Sequence, residues 1–306
     1  MNNSVSNINK ERYATEVQEF GHHGEILQGV FEGDDGKLHR GLITLKCKLF
    51  SSTAIYVRTK DPNIVSVMPE KKKKALVAAA STLKYIGKNI KYGGYLILQS
   101  NMPEEMGFGS STCDVTASIK AVASSFNISL SPYEIANIAV NSERASDAIM
   151  FDECVLFAQR EGEILERYQN TIPPMNVIGF STEANGIDTL KYIPAEYSEE
   201  EIKTFKVLRG LFRKGIEEQD PNLIAKVATA SALINQKYLP KTNFDRLLEI
   251  AEKTSALGIQ VAHSGTLVGI LYSDGISIDD KLIELKKYLS EIKIENVWHF
   301  NTKESY

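Results

Sequence analysis

Cysteine is scarce in this chain. The three cysteines, Cys47, Cys113 and Cys154, lie far apart among 306 residues, and no two of them have the spacing of a CxxC motif. Thiols this few and this scattered exclude a disulfide framework, and without clustered histidines they also argue against a zinc site. We therefore expect all three cysteines to be small buried hydrophobic residues.

Long hydrophobic runs are also missing. The sequence has no stretch of about 18 apolar residues, which is the length that a membrane-spanning helix needs. Its first twenty residues lack the continuous apolar segment of a secretory signal peptide. These absences predict a cytoplasmic protein with no membrane partner.

The chain has no excess of positive charge. It contains 35 lysines and arginines against 39 aspartates and glutamates, a formal net charge of −4. Nonspecific binding to nucleic acid therefore lacks its main driving force, and basic residues are not interleaved with aromatic ones, so we expect no nucleic-acid partner. The one basic run, Lys71–Lys74, lies at a predicted helix start, where the helix dipole disfavours it. A solvated charged face is the favoured interpretation of this run, with a functional role as the alternative.

The composition that remains is that of a globular protein. Hydrophobic residues make up 43% and charged residues 24% of the chain, and its length suggests two domains. Two prolines in the segment 171–174 interrupt the hydrophobic patterns, so we place the boundary there and predict units at 1–172 and 173–306. In the second unit the predicted order β-α-α-α-β-β-α-β resembles a ferredoxin-like sandwich with helical insertions, and the predicted class is α+β.

Several local signals define elements of the first unit. Turn residues at 33–36 separate two strand-like segments, which predicts a hairpin over 24–44. A helix after Pro69 is predicted from apolar residues at three-and-four spacing. These are Leu76, Ala79, Ala80, Leu83 and Ile86. Ser131 and Glu134 flank Pro132 in the pattern of a capping box, which predicts a helix from there to about Ala145.

The most informative segment is 103–112, PEEMGFGSST, which we call the phosphate loop. It joins a predicted strand to a predicted helix. Its glycines allow close approach of the backbone to a ligand, and exposed amides at the helix start favour an anion. Its hydroxyl groups can bind phosphate oxygens or a Mg²⁺ ion attached to them. From these residues alone, an ordinary glycine-rich turn with serine caps is an equally good interpretation.

Two further segments, in the same order along the chain, strengthen the phosphate interpretation. The phosphate loop resembles the second motif of the GHMP kinases, Pro-x-Gly-x-Gly-Leu-Gly-Ser-Ser. The segment 24–29, GEILQG, resembles the Gly-Glu-Leu-Leu-Gln-Gly of the L-threonine kinase branch of that family, and 260–266, QVAHSGT, resembles the family's third motif. The resemblance extends from about Gly24 to Leu271. It implies a ribosomal-S5-like N-terminal domain, a ferredoxin-like C-terminal domain, and ATP and Mg²⁺ as cofactors.

The resemblance also implies site residues. Glu143 and Asp147 lie in a segment similar to the Glu-Pro-Thr-Asp of the threonine kinase branch, with one extra residue. Asp147 is thereby the candidate catalytic base, and Glu143 with Ser111 is a candidate Mg²⁺ ligand. Asp152 and Glu153 remain alternatives, and so do ordinary charges on a solvated helix end. Nucleotide binding is assigned to Pro103, Gly107, Gly109, Ser110, Ser111 and Thr112, and acceptor binding to His23, Glu25, Gln28, Ser264 and Gly265.

Two departures from the family pattern concern the loop and the acceptor. Glu105 stands where the family commonly has glycine, which predicts a different path at the start of the phosphate loop. The lead-in Phe20–His23 replaces a Pro-Ala-Ser-Cys type of segment, which bears on the identity of the acceptor. Adjacent side chains on a strand point to opposite faces, so at most one of His22 and His23 is expected to face the site.

The expected function is transfer of the γ-phosphate of Mg·ATP to the hydroxyl of a small amino acid, with L-threonine as the first choice. A kinase for another hydroxy amino acid or small alcohol is the first alternative. A nucleotide-binding sensor without turnover is the second, because of Glu105. A homodimer is left open as the assembly.

Overall fold

Two long antiparallel strands form the centre of the structure, a computed structural model that describes residues 13–103, 105–183 and 195–304. Strand β1 spans Ala14–Glu32 and strand β2 spans Leu38–Thr59. They are joined by the predicted turn, and Leu27 pairs with Ile43 in the predicted hairpin. β2 continues beyond the end of the predicted hairpin at Thr44 and ends at Thr59. The pairing shifts register between Phe20 and Leu27, and such bulges re-aim side chains.

The remaining elements of the first half flank this pair. They are β3 (Val65–Met68), α1 (Lys73–Tyr85), β4 (Gly93–Ser100), α2 (Ser110–Ser124), α3 (Pro132–Glu143), β5 (Val155–Ala158) and β6 (Glu163–Arg167). The capping box that predicted α3 is present, with Ser131 and Glu134 each bonded to the other's backbone amide. The predicted apolar face of α1 is wrong at Ala80, which is exposed, because the buried face is centred on Ala75, Ala79 and Thr82.

The second half has the predicted order of elements. They are β7 (Met175–Ser181), α4 (Glu199–Glu217), α5 (Pro221–Asn235), α6 (Phe244–Lys253), β8 (Gly258–Val261), β9 (Leu267–Ser273), α7 (Ile278–Glu291) and β10 (Val297–Asn301). Ser198 and Glu201 form a capping box at the start of α4. Three glutamates in the first turn of α4 also stabilise the helix through their interaction with the positive end of its dipole.

One sheet runs through both halves. Its strand order is β10-β7-β9-β8-β1-β2-β4-β3, and β5 pairs with β2 and β6 beside this path. The halves meet where Glu25 of β1 pairs with Val261 of β8. Phe205 and Phe212 of α4 pack in the same hydrophobic core as Ile26 of β1, so the two halves also share a core. The mixture of helices with a mainly antiparallel sheet confirms the predicted α+β class.

The cysteines and the helices were the subject of two predictions. All three cysteines are buried and free, as predicted. In the described part of the chain, no helix combines the length and the apolar character that crossing a membrane requires.

Candidate active site

The phosphate loop lies between β4 and α2, as predicted. Gly109 is the N-cap of α2 and has a left-handed φ of +74°. Ser110, Ser111 and Thr112 then form the first turn, where backbone amides have no partner within the helix. The amide of His22 in β1 donates to the carbonyl of Phe108 at 3.1 Å, which ties the loop to the central strand. This arrangement presents hydroxyl groups and a positive helix end on one side of an open cleft.

The third motif closes on the phosphate loop from the second half of the chain. The amides of Thr266 and Leu267 donate to the carbonyl of Met106 at 2.8 and 3.1 Å. Gly107 has a φ of +108°, and a Cβ atom placed on it would lie 2.5 Å from the carbonyl oxygen of Ser264. Only glycine fits such a close approach of two backbones. The two motifs, more than 150 residues apart in sequence, therefore form one wall.

A cleft of about 400 Å³ opens in front of this wall. Most of the predicted site residues line it. Its lining consists of His22, Glu25, Lys74, Glu105, Gly107, Gly109, Ser110, Ser111, Thr112, Glu143, Ala145, Asp147, Gln159, Arg160, His263 and Ser264. Pro103, His23, Gln28 and Gly265 do not line it, although sequence reasoning assigned them to the site.

Glu143 meets the first turn of α2. Ser111 Oγ donates to Glu143 Oε2 at 2.8 Å, and Thr112 Oγ1 lies 3.0 Å from Glu143 Oε1. Burial raises the pKa of Glu143 to about 7 against the opposing effect of these hydrogen bonds. A hydroxyl and a carboxylate at the mouth of an anion-binding loop are hard oxygen donors, so this pair fits a Mg²⁺ ion.

Asp147 lies beside Glu143 and pairs with His22. His22 Nε2 donates to Asp147 Oδ2 at 3.0 Å, and the Thr112 hydroxyl is 3.2 Å from the same oxygen. Burial alone would lower the pKa of His22, but the charge and hydrogen bond of Asp147 outweigh it and raise the pKa to about 9. Burial opposes ionisation of Asp147, yet the charge of His22 holds its pKa below the usual value. Both groups are therefore charged at neutral pH.

Glu25 and His263 fix the inner end of the cleft. A Glu25 carboxylate oxygen accepts from the backbone amide of His263, and the other lies 3.7 Å from His22 Nδ1. Burial lowers the pKa of His263 to about 4, so its ring is neutral. His263 Nδ1 donates to Gln28 Oε1 at 2.7 Å, and Gln159 donates to the other ring nitrogen at 3.3 Å. Gln28 thus holds the third motif in place from behind the cleft.

The two adjacent histidines point to opposite faces, as predicted. His22 lines the cleft, whereas the His23 ring packs against Phe108, Trp298 and Phe300. Burial lowers the pKa of His23 to about 3. The placement of His23 on the acceptor side is therefore wrong in geometry. Strand alternation predicts that one histidine faces the site, but the local bulges decide which one.

Glu105 in the phosphate loop has a backbone conformation that glycine adopts more easily. Its φ is +63°, a left-handed conformation that non-glycine residues adopt only at a cost. Its side chain is exposed and lines the cleft. The sequence predicted a different path at this position. The left-handed φ of Glu105 shows where the loop is strained, and the different path stays a prediction.

The basic run Lys71–Lys74 lies beside the phosphate loop. Lys72 Nζ lies 2.7 Å from Asp114 Oδ2 in α2, and the Lys72 side chain is 16% exposed. A second cleft of about 200 Å³ is lined by all four lysines together with Ser110 and Ser111. Lys71, Lys73 and Lys74 are exposed, as a solvated face predicts, whereas Lys72 is half-buried against Asp114. Folding of α1 also brings the start of this run against the phosphate loop, and a functional role stays a prediction.

The alternative acids lie elsewhere. Glu153 forms an ion pair with Arg167, and Asp152 is exposed. Neither of them lines the cleft. Sequence reasoning also missed Gln159 and Arg160, which lie at the turn between β5 and β6. No local signal shows that this turn faces the same cleft as Asp147.

Comparison with known proteins agrees with this geometry. Residues 73–152 match the model of the GHMP kinases N-terminal domain. The chain is 27% identical over 207 residues to the L-threonine kinase of Salmonella typhimurium, covering 66% of each protein. It is 28% identical over 179 residues to the L-threonine kinase of Citrobacter freundii, covering 57% of this chain and 60% of that enzyme. The matched region spans less than two thirds of either relative.

Solved structures share the fold over nearly the whole chain. A homoserine kinase from Cytophaga hutchinsonii superposes with a TM-score of 0.72 at 15% identity, covering 96% of this chain and 95% of that one. A mevalonate kinase from Staphylococcus aureus superposes with a TM-score of 0.64 at 14% identity, covering 95% and 99%.

Proposed function

Because this chain belongs to the GHMP kinase superfamily, we propose that it transfers the γ-phosphate of Mg·ATP to the hydroxyl of a small amino acid, L-threonine. The observation that carries the transfer reaction is the placement of Asp147. Its carboxylate lies within hydrogen-bond distance of Thr112 in the phosphate loop and next to Glu143. The choice of threonine is supported by the similarity to the two L-threonine kinases.

In this proposal the phosphate loop holds the phosphates of ATP. The amides at the start of α2 and the hydroxyls of Ser110 and Ser111 bind phosphate oxygens. Lys72 and Lys74 add positive charge on the same side. Ser111 and Glu143 would hold Mg²⁺, which neutralises phosphate charge when bound.

Asp147 orients the acceptor hydroxyl and accepts its proton. The charged His22 keeps the Asp147 carboxylate ionised and fixes one of its oxygens, so the other oxygen is available to the acceptor. Glu25 and Ser264 shape the acceptor end of the cleft, since both line it on the side of the third motif.

We propose the same division of the chain as the sequence predicts. The unit 1–172 contains the phosphate loop, Glu143 and Asp147, and the unit 173–306 contributes the third motif. The support is that the candidate nucleotide-binding residues all belong to the first unit, whereas Ser264 enters the cleft from the second.

The experiment is acceptor-dependent ADP release from purified protein with Mg·ATP. The panel contains L-threonine, L-serine, L-homoserine and small alcohols, and the phosphorylated product is identified by mass spectrometry. O-phospho-L-threonine as the main product supports the proposal. If another acceptor gives the fastest ADP release, the phosphoryl transfer stands and that acceptor takes the place of threonine as the substrate. ATP binding without ADP release for any acceptor contradicts the transferase proposal and favours the sensor alternative.

A further inference from the structure

The cleft contains two strongly basic side chains with different surroundings. The described residues that line the cleft include one lysine, Lys74, and one arginine, Arg160. Lys74 also lines the smaller cleft beside Ser110 and Ser111. Arg160 lines only the larger cleft, with Gln159 and His263 as its sequence or spatial neighbours. Lys74 therefore lies on the side of the phosphate loop, and Arg160 lies on the side of His263.

The turn that carries Arg160 is bonded to the segment that carries Asp147. The carbonyl of Gln159 accepts a hydrogen bond of 2.9 Å from the amide of Ser146, the residue before Asp147. The turn itself is closed by a 2.9 Å bond from the Gly162 amide to the Ala158 carbonyl. The turn thus carries Arg160 into the lining of the same cleft as the candidate base.

The guanidinium group of Arg160 is unused within the protein. The described part of the chain offers it neither a hydrogen bond nor an ion pair, and its side chain is exposed. The His263 ring, which senses the charge of Arg160, is neutral at physiological pH because burial lowers its pKa to about 4. His22 also brings a positive charge to the cleft, but it is paired with Asp147, so the guanidinium of Arg160 is the positive charge left available to a bound anion among the described residues on this side.

An amino acid acceptor carries such an anion. Its α-carboxylate is a planar group with two oxygens, and a guanidinium matches this shape with two parallel hydrogen bonds. We propose that Arg160 binds the α-carboxylate of the acceptor and so selects amino acids over simple alcohols. This inference rests on the proposed kinase function and identifies the substrate class of its acceptor site.

The test compares L-threonine with 1-amino-2-propanol, which has the same hydroxyl and amine but no carboxylate. In Arg160→Gln we expect the ratio of kcat/KM for L-threonine to kcat/KM for 1-amino-2-propanol to fall about 10- to 100-fold, the size of one charge-assisted bidentate contact. The loss should appear in KM for threonine, and Arg160→Lys should recover part of it. Since Arg160 has no partner in the described structure, its substitution should leave the melting temperature close to that of the wild type.

Lys74→Gln is the matched control. It removes the other basic side chain of the cleft, and we expect KM for ATP to rise while the ratio between the two acceptors stays near the wild-type value. An unaltered acceptor ratio in Arg160→Gln, with wild-type protein that phosphorylates threonine, overturns the inference and leaves the proposed function standing. A wild-type protein that phosphorylates no hydroxy amino acid overturns both.

Discussion

His22 and Asp147 are 125 positions apart in the chain, yet Nε2 of the histidine lies 3.0 Å from Oδ2 of the aspartate. The histidine is carried by the central strand and the aspartate by the segment after α3. Most of the histidine is shielded from water, at 3% side-chain exposure, while the aspartate retains 22%. The pair therefore presents a fixed and ionised carboxylate to the cleft, and each partner controls the charge of the other.

Replacement of Asp147 by asparagine should reduce turnover. Asparagine keeps the size and the polar contacts of the side chain but cannot accept the acceptor proton. We expect kcat to fall on the order of 10²- to 10⁴-fold, with little effect on KM for ATP, in steady-state assays of ADP release. Asp152→Asn is the control, because Asp152 does not line the cleft. An equal loss of kcat in Asp152→Asn would contradict the assignment of the proton acceptor to Asp147.

His22 should make stability depend on pH in the alkaline range. Its pKa rises from 6.5 to about 9 on folding, so its stabilising effect is complete below pH 6.5 and is lost as pH rises to about 9. The full effect is on the order of 3 kcal/mol at about 1.4 kcal/mol per pKa unit. Melting temperatures of wild type and His22→Gln should therefore converge between pH 6.5 and 9.

His299→Gln provides the comparison for that pH series. The pKa of His299 is lowered by burial, so this residue does not gain a proton on folding. Its variant should remain parallel to the wild type above pH 6.5. A constant difference between wild type and His22→Gln across the same range would show that the buried histidine is not charged.

Ser111 should influence the requirement for Mg²⁺. Removal of its hydroxyl in Ser111→Ala takes away one proposed oxygen ligand and the hydrogen bond to Glu143. We expect the Mg²⁺ concentration for half-maximal activity at fixed ATP to rise about tenfold or more. Ser125→Ala, at the opposite end of α2, is the matched serine variant and should not alter this concentration. A similar metal dependence in both variants would contradict the assignment.

Glu105 allows backbone strain to be separated from charge. Glu105→Gly removes a left-handed cost of about 1 to 2 kcal/mol but adds chain entropy of about 0.5 to 1 kcal/mol, so a small rise in melting temperature is expected. Glu105→Gln keeps the backbone cost and removes only the negative charge from the cleft. Both variants should lower KM for ATP, since the carboxylate repels phosphate, whereas only the glycine variant should be more stable. An unchanged KM in Glu105→Gln would remove the charge from the explanation.

Local signals predicted much of the fold. The capping boxes at Ser131 and Ser198 are complete within four residues, so the starts of α3 and α4 could be placed from the sequence. The phosphate loop could also be placed from the sequence, because its glycines and hydroxyl residues all lie within the segment 103–112. Its contact with the third motif could be anticipated only from the resemblance to a family, because nothing local specifies a partner so far along the chain.

The site residues that sequence reasoning missed depend on tertiary structure. His22 replaces His23 in the cleft because β1 changes register between Phe20 and Leu27. Lys72 joins the site because Asp114 attracts it across the space between α1 and α2. Arg160 joins because a backbone hydrogen bond brings the β5–β6 turn to the residue before Asp147. None of these three relationships has a signature within a short window of sequence.

The core that the two halves share limits how the protein can admit and release its ligands. A hinge motion that separated the halves would expose Phe205 and Phe212, which pack with Ile26 of β1. Exposure of these two rings alone would cost about 3 to 6 kcal/mol, so fewer than about one molecule in a hundred would be open in this way. Exchange of nucleotide and acceptor therefore proceeds through the open mouth of the cleft without separation of the two halves, and the sheet beneath acts as a stiff base.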